Sequence, residues 1–500
     1  MTLISRLLGF VRDVVIARFF GADSGTDAFF VAFKIPNFLR RLFAEGAFSQ
    51  AFIPVLAEYK EKGAEEALKL FIDRTAGSLA LVLFCVSIVG VAAAPVLIML
   101  FAPGFQVSGE NFELSVSMLR LTFPYLLFIS LTAFAGSLLN SWGRFAVPAF
   151  TPVFLNICLI SAAIWLAPMM DEPIMALAWG VLLAGIVQLL FQIPALNRLG
   201  LLPRPKVALS DPGVRKIIKL MLPAIFAVSI TQINLLLDTL IASFLQAGSI
   251  TWLYYSDRLV EFPLGLFGIA LATVILPSLS KDHAGDDKES FSSALDWGLR
   301  LVLVIGVPAA VGLFMLGGPM LATLFQYDAF SGDDVRMAEK SLQAFSFGLL
   351  AFILVKVLVP GFTARQDMKT PVRIGVIAMV SNMVMNIVLV FPLAHAGLAL
   401  ATALAAYLNA GLLLKGLREQ NVYRPEKGWG LFLAKVVVAC LLMASVLMQA
   451  EELSLWLEWS VSERSLHLLF WIVAGFMAYL IALLIMGVRP KQLIKKPAVH

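Results

Sequence analysis

The sequence predicts an all-α polytopic membrane protein of fourteen transmembrane helices, built as two pseudo-symmetric six-helix lobes plus a C-terminal helix pair. Three observations carry this expectation. Of 500 residues, 60% are hydrophobic and 14% charged, with a mean hydropathy of +0.89. Soluble domains hold about 45–50% apolar and about 25% charged residues, so lipid must be the solvent. Apolar runs long enough for a bilayer core of about 30 Å recur along the whole chain. Lysine and arginine alternate between the intervening loops, and the chain aligns with itself at a fixed shift. The same composition excludes disorder, a disulfide scaffold and a nucleic-acid binder. Cys85, Cys158 and Cys440 sit singly in apolar runs, with no CxxC pair or metal-ligand spacing.

Taken in order, the runs lie at about 2–20, 27–50, 75–102, 114–141, 147–168 and 174–196 for the first lobe. Those of the second lobe lie at about 218–245, 250–279, 298–325, 337–363, 372–393 and 396–416, and the final pair at about 429–449 and 466–487. The first two carry the most charge. No cleavable signal peptide is evident, because the first run lacks a clean apolar stretch and a small-residue cleavage site. An even span count puts both termini on one side. Placing that side in the cytoplasm assigns 24 Lys and Arg to inner loops and tail, against three (Arg336, Lys340 and Arg464) outside. The outer loops are acidic instead, as at Glu110, Asp171, Asp333 and Glu451. A wrong span count would scramble this alternation.

A shift of 223 residues places Pro54 on Pro277, Pro148 on Pro371, and Ala176-Leu177-Ala178 on Ala399-Leu400-Ala401. A shift of six helices preserves membrane orientation, so the repeats are expected to be parallel, with a substrate site between them. The expected division is 1–197 (first lobe), 198–213 (cytoplasmic linker), 214–418 (second lobe), 419–488 (helices 13 and 14) and 489–500 (basic tail).

Eleven cations fall within or beside the spans: Arg6, Arg12, Arg18, Lys34, Arg40, Arg41, Arg120, Arg258, Arg300, Lys356 and Lys435. Each costs at least about 2.5–3.5 kcal/mol at a helix centre unless it faces protein or water. Six of them lie in the first 41 residues, accompanied by Asp13, Asp27 and Glu45. In the second lobe Asp257 and Glu261 are four apart on one helix face, beside Arg258. Structural ion pairing or snorkelling explains any one of these residues. As a set they predict a hydrated, net-positive cavity, and guanidinium forks suit phosphate. A second group, Asp238, Asn382, Asn386 and Thr402, offers hard oxygen ligands for a small cation such as sodium, or interhelical hydrogen bonds. No phosphate-binding loop, no H-E-x-x-H motif and no histidine cluster is present, so nothing recommends an enzyme.

The stretch SRLLGFVRDVVIARFFGADSGTDAFFVAFKIPNFLRRLFAEGAFSQAFIPVLAEY resembles the N-terminal signature of the MurJ (MviN) family of lipid II flippases, within the multidrug/oligosaccharidyl-lipid/polysaccharide exporter superfamily. WLYYSDRLVEFPLGLFGIAL and GFTARQDMKTPV are similar to the family's second-lobe signatures. The resemblance runs over essentially the whole chain. It implies paired six-helix lobes around a cationic cavity lined by Arg6, Arg12, Asp27, Arg40, Arg41, Glu45, Asp257, Arg258 and Glu261. It further implies that helices 13 and 14 form a groove for the lipid tail. The sodium site held by some members would map to Asp238, Asn382, Asn386, Thr402 and the carbonyl of Leu398. At least one relative has Asp where this chain has Asn386, which removes a negative charge. Members generally begin somewhat earlier than Met1, which implies a shortened N-terminus here.

The implied function is movement of undecaprenyl-pyrophosphate-linked peptidoglycan precursor (lipid II) from the inner to the outer leaflet of the bacterial cytoplasmic membrane by alternating access. The expected partners are lipid II, membrane lipids and the cell-wall synthesis machinery, with no nucleic acid; sodium is the one expected ion. The alternatives are export of another anionic polyprenyl-linked glycan, and a non-transporting scaffold for cell-wall synthases.

Overall fold

The computed structural model describes residues 2–42, 48–285 and 287–488, and every regular element among them is helical. The first helices are α1 (Thr2–Phe20), α2 (Ser24–Arg40), α3 (Ser49–Glu61), α4 (Glu65–Ala92), α5 (Ala94–Phe101), α6 (Gly104–Ser108) and α7 (Glu110–Thr122). Next come α8 (Tyr125–Ser141), α9 (Ala146–Phe150), α10 (Val153–Ser161), α11 (Met175–Arg198), α12 (Pro212–Ala242), α13 (Ser249–Pro263) and α14 (Ile269–Ala284). The remainder are α15 (Lys288–Met315), α16 (Gly317–Phe325), α17 (Gly332–Thr363), α18 (Lys369–Glu419), α19 (Trp429–Leu447), α20 (Leu453–Glu458) and α21 (Val461–Ile485). Each of the fourteen expected runs is met by one helix or by helices in series.

The internal repeat is visible in the element boundaries. α4 and α15 are both 28 residues long, and Glu65–Ala92 against Lys288–Met315 differ by 223 at each end. Ala146, which opens α9, and Lys369, which opens α18, differ by the same amount. A π-helical turn at Leu264–Gly268 separates α13 from α14. Residues 41 and 42, the 223-shifted equivalents of 264 and 265, are also π-helical. A matching backbone irregularity in both halves is harder to explain by chance than a shared alanine triplet.

The expected spans 11 and 12 are joined without a loop. α18 is 51 residues long but breaks at Ala394, whose φ of 49° and ψ of −129° are not helical. The second arm then folds back so tightly that a Cβ on Gly397 would lie 2.2 Å from the Leu389 carbonyl oxygen. Only glycine permits that approach.

By packing, the chain divides into two compact units, Met1–Thr251 and Trp252–His500. In the first, Phe48, Phe52, Phe71 and Phe134 of the α3, α4 and α8 region form an aromatic core closed by Leu196 and Ile217. α12, which the sequence reading put at the head of the second lobe, packs here against α3, α4, α5 and α6. The linker is strapped to α4. The Lys206 amide donates to the Asp73 carbonyl (3.0 Å) and the Arg204 amide to Asp73 Oδ1 (2.8 Å). Arg74 Nη1 reaches Asp211 Oδ2 at 2.6 Å. Gly77 makes the strap possible, since a Cβ there would lie 2.5 Å from the Lys206 backbone. In the second unit α17 packs between α15 and α18. Val436, Cys440, Met443 and Leu447 of α19 close a core with Tyr479, Ala482 and Leu483 of α21.

Arg464 departs from expectation. The sequence reading placed it among the outer-loop cations, yet it is buried at 6% exposure. Its guanidinium donates to the carbonyls of Ala322 (3.0 Å), Gln326 (3.3 Å) and Leu457 (2.8 Å). The first two are carbonyls at the C-terminal end of α16, where a helix carries partial negative charge. A cation there needs no carboxylate.

Candidate functional site

Nine helices among the described residues are long and apolar enough to cross a membrane, and one of them, α18, holds two expected spans. Ten of the fourteen spans are thereby accounted for. The other four are α1, α2 with α3, α12, and α13 with α14. Together these four carry Arg6, Arg12, Arg18, Lys34, Arg40, Arg41, Asp238, Asp257, Arg258 and Glu261. A helix that spends its hydrophobicity on ionic side chains must face something other than lipid over part of its surface.

In the first unit the charged side chains fall into two groups. Arg12 is buried (6% exposed) and clasps the buried Asp13 through Nε (3.0 Å) and Nη2 (2.6 Å). Its Nη1 donates to Asn156 Oδ1 of α10 at 3.2 Å, and Asn156 Nδ2 donates to the Ser5 carbonyl at 3.1 Å. This closed knot ties α1 to α10, so Arg12 does not lie on an open surface as the cavity reading expected. Adjacent opposite charges let both ions be buried together at lower cost than either alone. Asp27 is also buried, and it accepts from the Gly248 amide (2.7 Å), the Thr251 amide (2.8 Å) and the Thr251 hydroxyl (2.6 Å). It thereby caps the N-terminus of α13, whose unpaired amides favour an anion. Lys34 Nζ donates to the Thr239 hydroxyl, tying α2 to α12.

The second group is accessible. Arg6 and Arg41 are exposed, and Arg40 is half-buried with its Nε on Asn37 Oδ1 at 2.8 Å. Glu45 lies outside the described residues. In the second unit Arg258 is half-buried and Asp257 and Glu261 are exposed on α13. Arg258 Nη1 donates to Glu261 Oε2 at 2.7 Å, and its guanidinium carbon lies 5.7 Å from the centre of the Tyr254 ring. A half-buried arginine paired with an exposed i, i+3 carboxylate can exchange that partner for a phosphate.

The second constellation behaves as interhelical glue. Asn382 and Asn386 are buried on the first arm of α18, and Leu398 and Thr402 lie on the second arm, with Leu398 buried and Thr402 half-buried. Asn382 Nδ2 donates to Thr402 Oγ1 (3.2 Å) and Asn386 Nδ2 to Asn382 Oδ1 (3.0 Å). Asn382 Oδ1 and Thr402 Oγ1 are thereby engaged by amide N–H groups, Asn386 Oδ1 is buried and accepts no hydrogen bond among the described residues, and α18 has no carboxylate before Glu419. Asp238, half-buried on α12, belongs to the other unit. No transport step is derived through this set.

Sequence reasoning missed Asn156, Thr239 and Thr251, the neutral partners of the charged residues. The available signal was a polar side chain inside an apolar run, which for Asn156 (FLNICLI) is plain in retrospect.

The family profile described as "Lipid II flippase MurJ" matches residues 16–470. The chain belongs to the MurJ family. The "Probable lipid II flippase MurJ" of Vibrio cholerae serotype O1 is 50% identical, covering 99% of this chain and 95% of that protein. The "Lipid II flippase MurJ" of Burkholderia cenocepacia is 45% identical over 89% of this chain and 87% of that protein. A solved structure titled "Lipid II flippase MurJ, inward closed conformation" superposes with a TM-score of 0.81 at 26% identity, covering 99% of this chain and 98% of the other. A structure titled as the inward-facing conformation of a multidrug resistance MATE family transporter of the MOP superfamily shares the fold, with a TM-score of 0.68 at 14% identity over 83% of this chain and 94% of that one. The family is one of multi-pass membrane transporters, not enzymes, and the fourteen-helix count agrees with its fold.

Proposed function

We propose that this chain moves lipid II from the inner to the outer leaflet of the bacterial cytoplasmic membrane, with both termini in the cytoplasm. The observation that carries the reading is the concentration of arginines within the spans α1, α2 and α13, with Arg6, Arg40, Arg41 and Arg258 accessible. The physical problem is a polar, anionic head group that cannot cross hydrocarbon unaided. A hydrated path lined by guanidinium groups accepts the pyrophosphate and peptide carboxylates, while the prenyl chain stays in lipid along α19 and α21.

Arg258 and Glu261 illustrate the exchange. Their mutual bond satisfies the guanidinium when no phosphate is present, and substrate replaces the carboxylate in the loaded state. Arg12 contributes differently, because its knot with Asp13 and Asn156 must open before it can touch substrate. Its role is to hold α1 on α10 in one access state. The chain lacks a nucleotide-binding loop, so the driving force is a gradient or the membrane potential. The potential supplies about 2.3 kcal/mol per charge moved through 100 mV.

The test is a leaflet-resolved assay with purified protein in vesicles carrying labelled lipid II. Arg41→Ala and Arg258→Ala are expected to abolish flipping with the protein still folded. Full transport by both variants would remove the site assignment. Transport of an unrelated anionic polyprenyl glycan at the same rate as lipid II would favour the broader exporter reading.

A further inference from the structure

At the end of the second unit that the charge pattern assigns to the cytoplasm, the structure holds a recess that the transport reading does not use. Its volume is about 270 Å³. α15 contributes Asp296 and Arg300 to its wall, the α18–α19 connection Glu426 and Gly428, α19 Phe432 and Lys435, and the end of α21 Gly487 and Val488.

One wall is rigidly built. Asp296 is buried and accepts from the Tyr423 hydroxyl (2.8 Å), the Glu426 amide (3.2 Å), Trp429 Nε1 (2.7 Å) and, through its other oxygen, Arg300 Nε (2.7 Å). A carboxylate so fully engaged is spent on holding the connection against α15. Arg300 is thereby oriented, with its guanidinium carbon 5.3 Å from the Trp429 ring centre and 5.5 Å from that of Phe432. Nη2 reaches the Lys427 carbonyl at 3.3 Å. Nη1 has no acceptor among the described residues. Glu426 faces the Ser293 hydroxyl (2.8 Å) and Arg300 (3.7 Å).

Lys435 is the informative residue. It lies six residues into α19, about 9 Å along the helix from Trp429, and is half-buried in an otherwise apolar span. No ion-pair or hydrogen-bond partner for it exists among the described residues. A lysine that snorkelled only to reach water would not require a shaped recess beside a second, aromatic-braced cation. The surroundings add Arg424 and Lys427. The chain leaves the recess at Val488 directly into a tail carrying Arg489, Lys491, Lys495 and Lys496.

We propose that this recess binds the phosphodiester of an anionic glycerophospholipid of the inner leaflet. Lys435 and the open nitrogen of Arg300 hold the phosphate, and Trp429 and Phe432 sit at the glycerol-ester level. The acyl chains lie along exposed Leu431 and its lipid-facing neighbours. Basic pockets between helices on the cytoplasmic face are suited to such head groups, as are polybasic segments that directly follow a span. The site is separate from the arginines assigned to lipid II, so it stands or falls independently of the transported substrate.

The test uses the full chain in phosphatidylcholine nanodiscs containing a trace of photoactivatable phosphatidylglycerol, with cross-links mapped by peptide mass spectrometry. Label is expected on residues 424–435 and around Arg300. It should fall about fivefold in Lys435→Leu, the loss of one lysine facing an anionic lipid surface, and return in Lys435→Arg. Lys435→Gln, which keeps polarity, is expected to behave like the leucine variant and covers the case in which that one does not fold. Unlabelled phosphatidylglycerol should compete. Equal labelling of wild type and both charge-loss variants overturns the proposal. So does equal competition by phosphatidylcholine, which means ordinary boundary lipid, or by inorganic phosphate, which means a free-anion site. Stronger competition by undecaprenyl phosphate would also overturn it, by assigning the recess to the carrier lipid.

Discussion

Asp27 is expected to hold the start of α13 in place, and the effect of removing it can be worked from its bonds. The carboxylate is 2% exposed and receives three donors at 2.6–2.8 Å, two of them backbone amides at the helix N-terminus. Hydrogen bonds to a charged acceptor contribute about 1.5–3 kcal/mol each but do not add. Burial of the carboxylate itself offsets part of the gain. A net loss of about 3 kcal/mol on Asp27→Ala follows, which corresponds to somewhat more than a hundredfold in the local opening equilibrium. Hydrogen exchange read by mass spectrometry across 246–254 should therefore accelerate about a hundredfold at Gly248 and Thr251. Asp27→Asn keeps one accepting oxygen but loses the charge, so about tenfold is expected. Asp23→Ala is the control, since Asp23 Oδ1 caps only its own helix through the Thr26 amide at 2.8 Å. Exchange at Gly248 and Thr251 within twofold of wild type in Asp27→Ala would refute the capping argument.

Other consequences are open to simpler measurements. Gly77→Leu places side-chain atoms where the Lys206 backbone lies, so the linker should lift from α4 and trypsin should cut at Arg204 and Lys206 several-fold faster. Arg464→Met removes three hydrogen bonds from a buried site. A loss of about 3 kcal/mol is expected, seen as a lower melting temperature in detergent, with Arg464→Lys recovering part of it. The exposed pair between Lys216 of α12 and Glu58 of α3, at 2.6 Å, holds the Glu58 carboxyl below its usual range. A depressed carboxylate contributes stability above its unfolded pKa, and that contribution disappears as pH falls through the lower folded value. Melting temperature should therefore differ little between wild type and Glu58→Gln in acid, and slightly at neutral pH in low salt.

Composition, loop charge and the 223-residue self-alignment were enough to read the membrane class, the fourteen spans and the repeat, because each is carried by local hydrophobicity, loop charge or residue identity. The 223-residue shift, visible at only three places in the sequence, becomes clear once α4 and α15 share length and boundaries. The site was legible in part. Charge in the wrong solvent singled out the arginines, but not which of them are spoken for. Arg12 and Arg41 look alike in sequence, yet one is locked to Asp13 and Asn156 and the other is exposed. The Asn382–Asn386–Thr402 group shows the same limit, since its residue types suit both an ion and a chain of amide hydrogen bonds.

Sequence alone determined what the chain is dissolved in and how often it crosses, since hydrocarbon tests every residue for polarity one span at a time. Tertiary structure decided the partners: Asn156 for Arg12, Thr251 for Asp27, helix carbonyls for Arg464, and no partner among the described residues for Lys435. These pairings join residues from 138 to 224 positions apart. No local rule of period or propensity reaches across that distance, and only the packed helices bring donor and acceptor together.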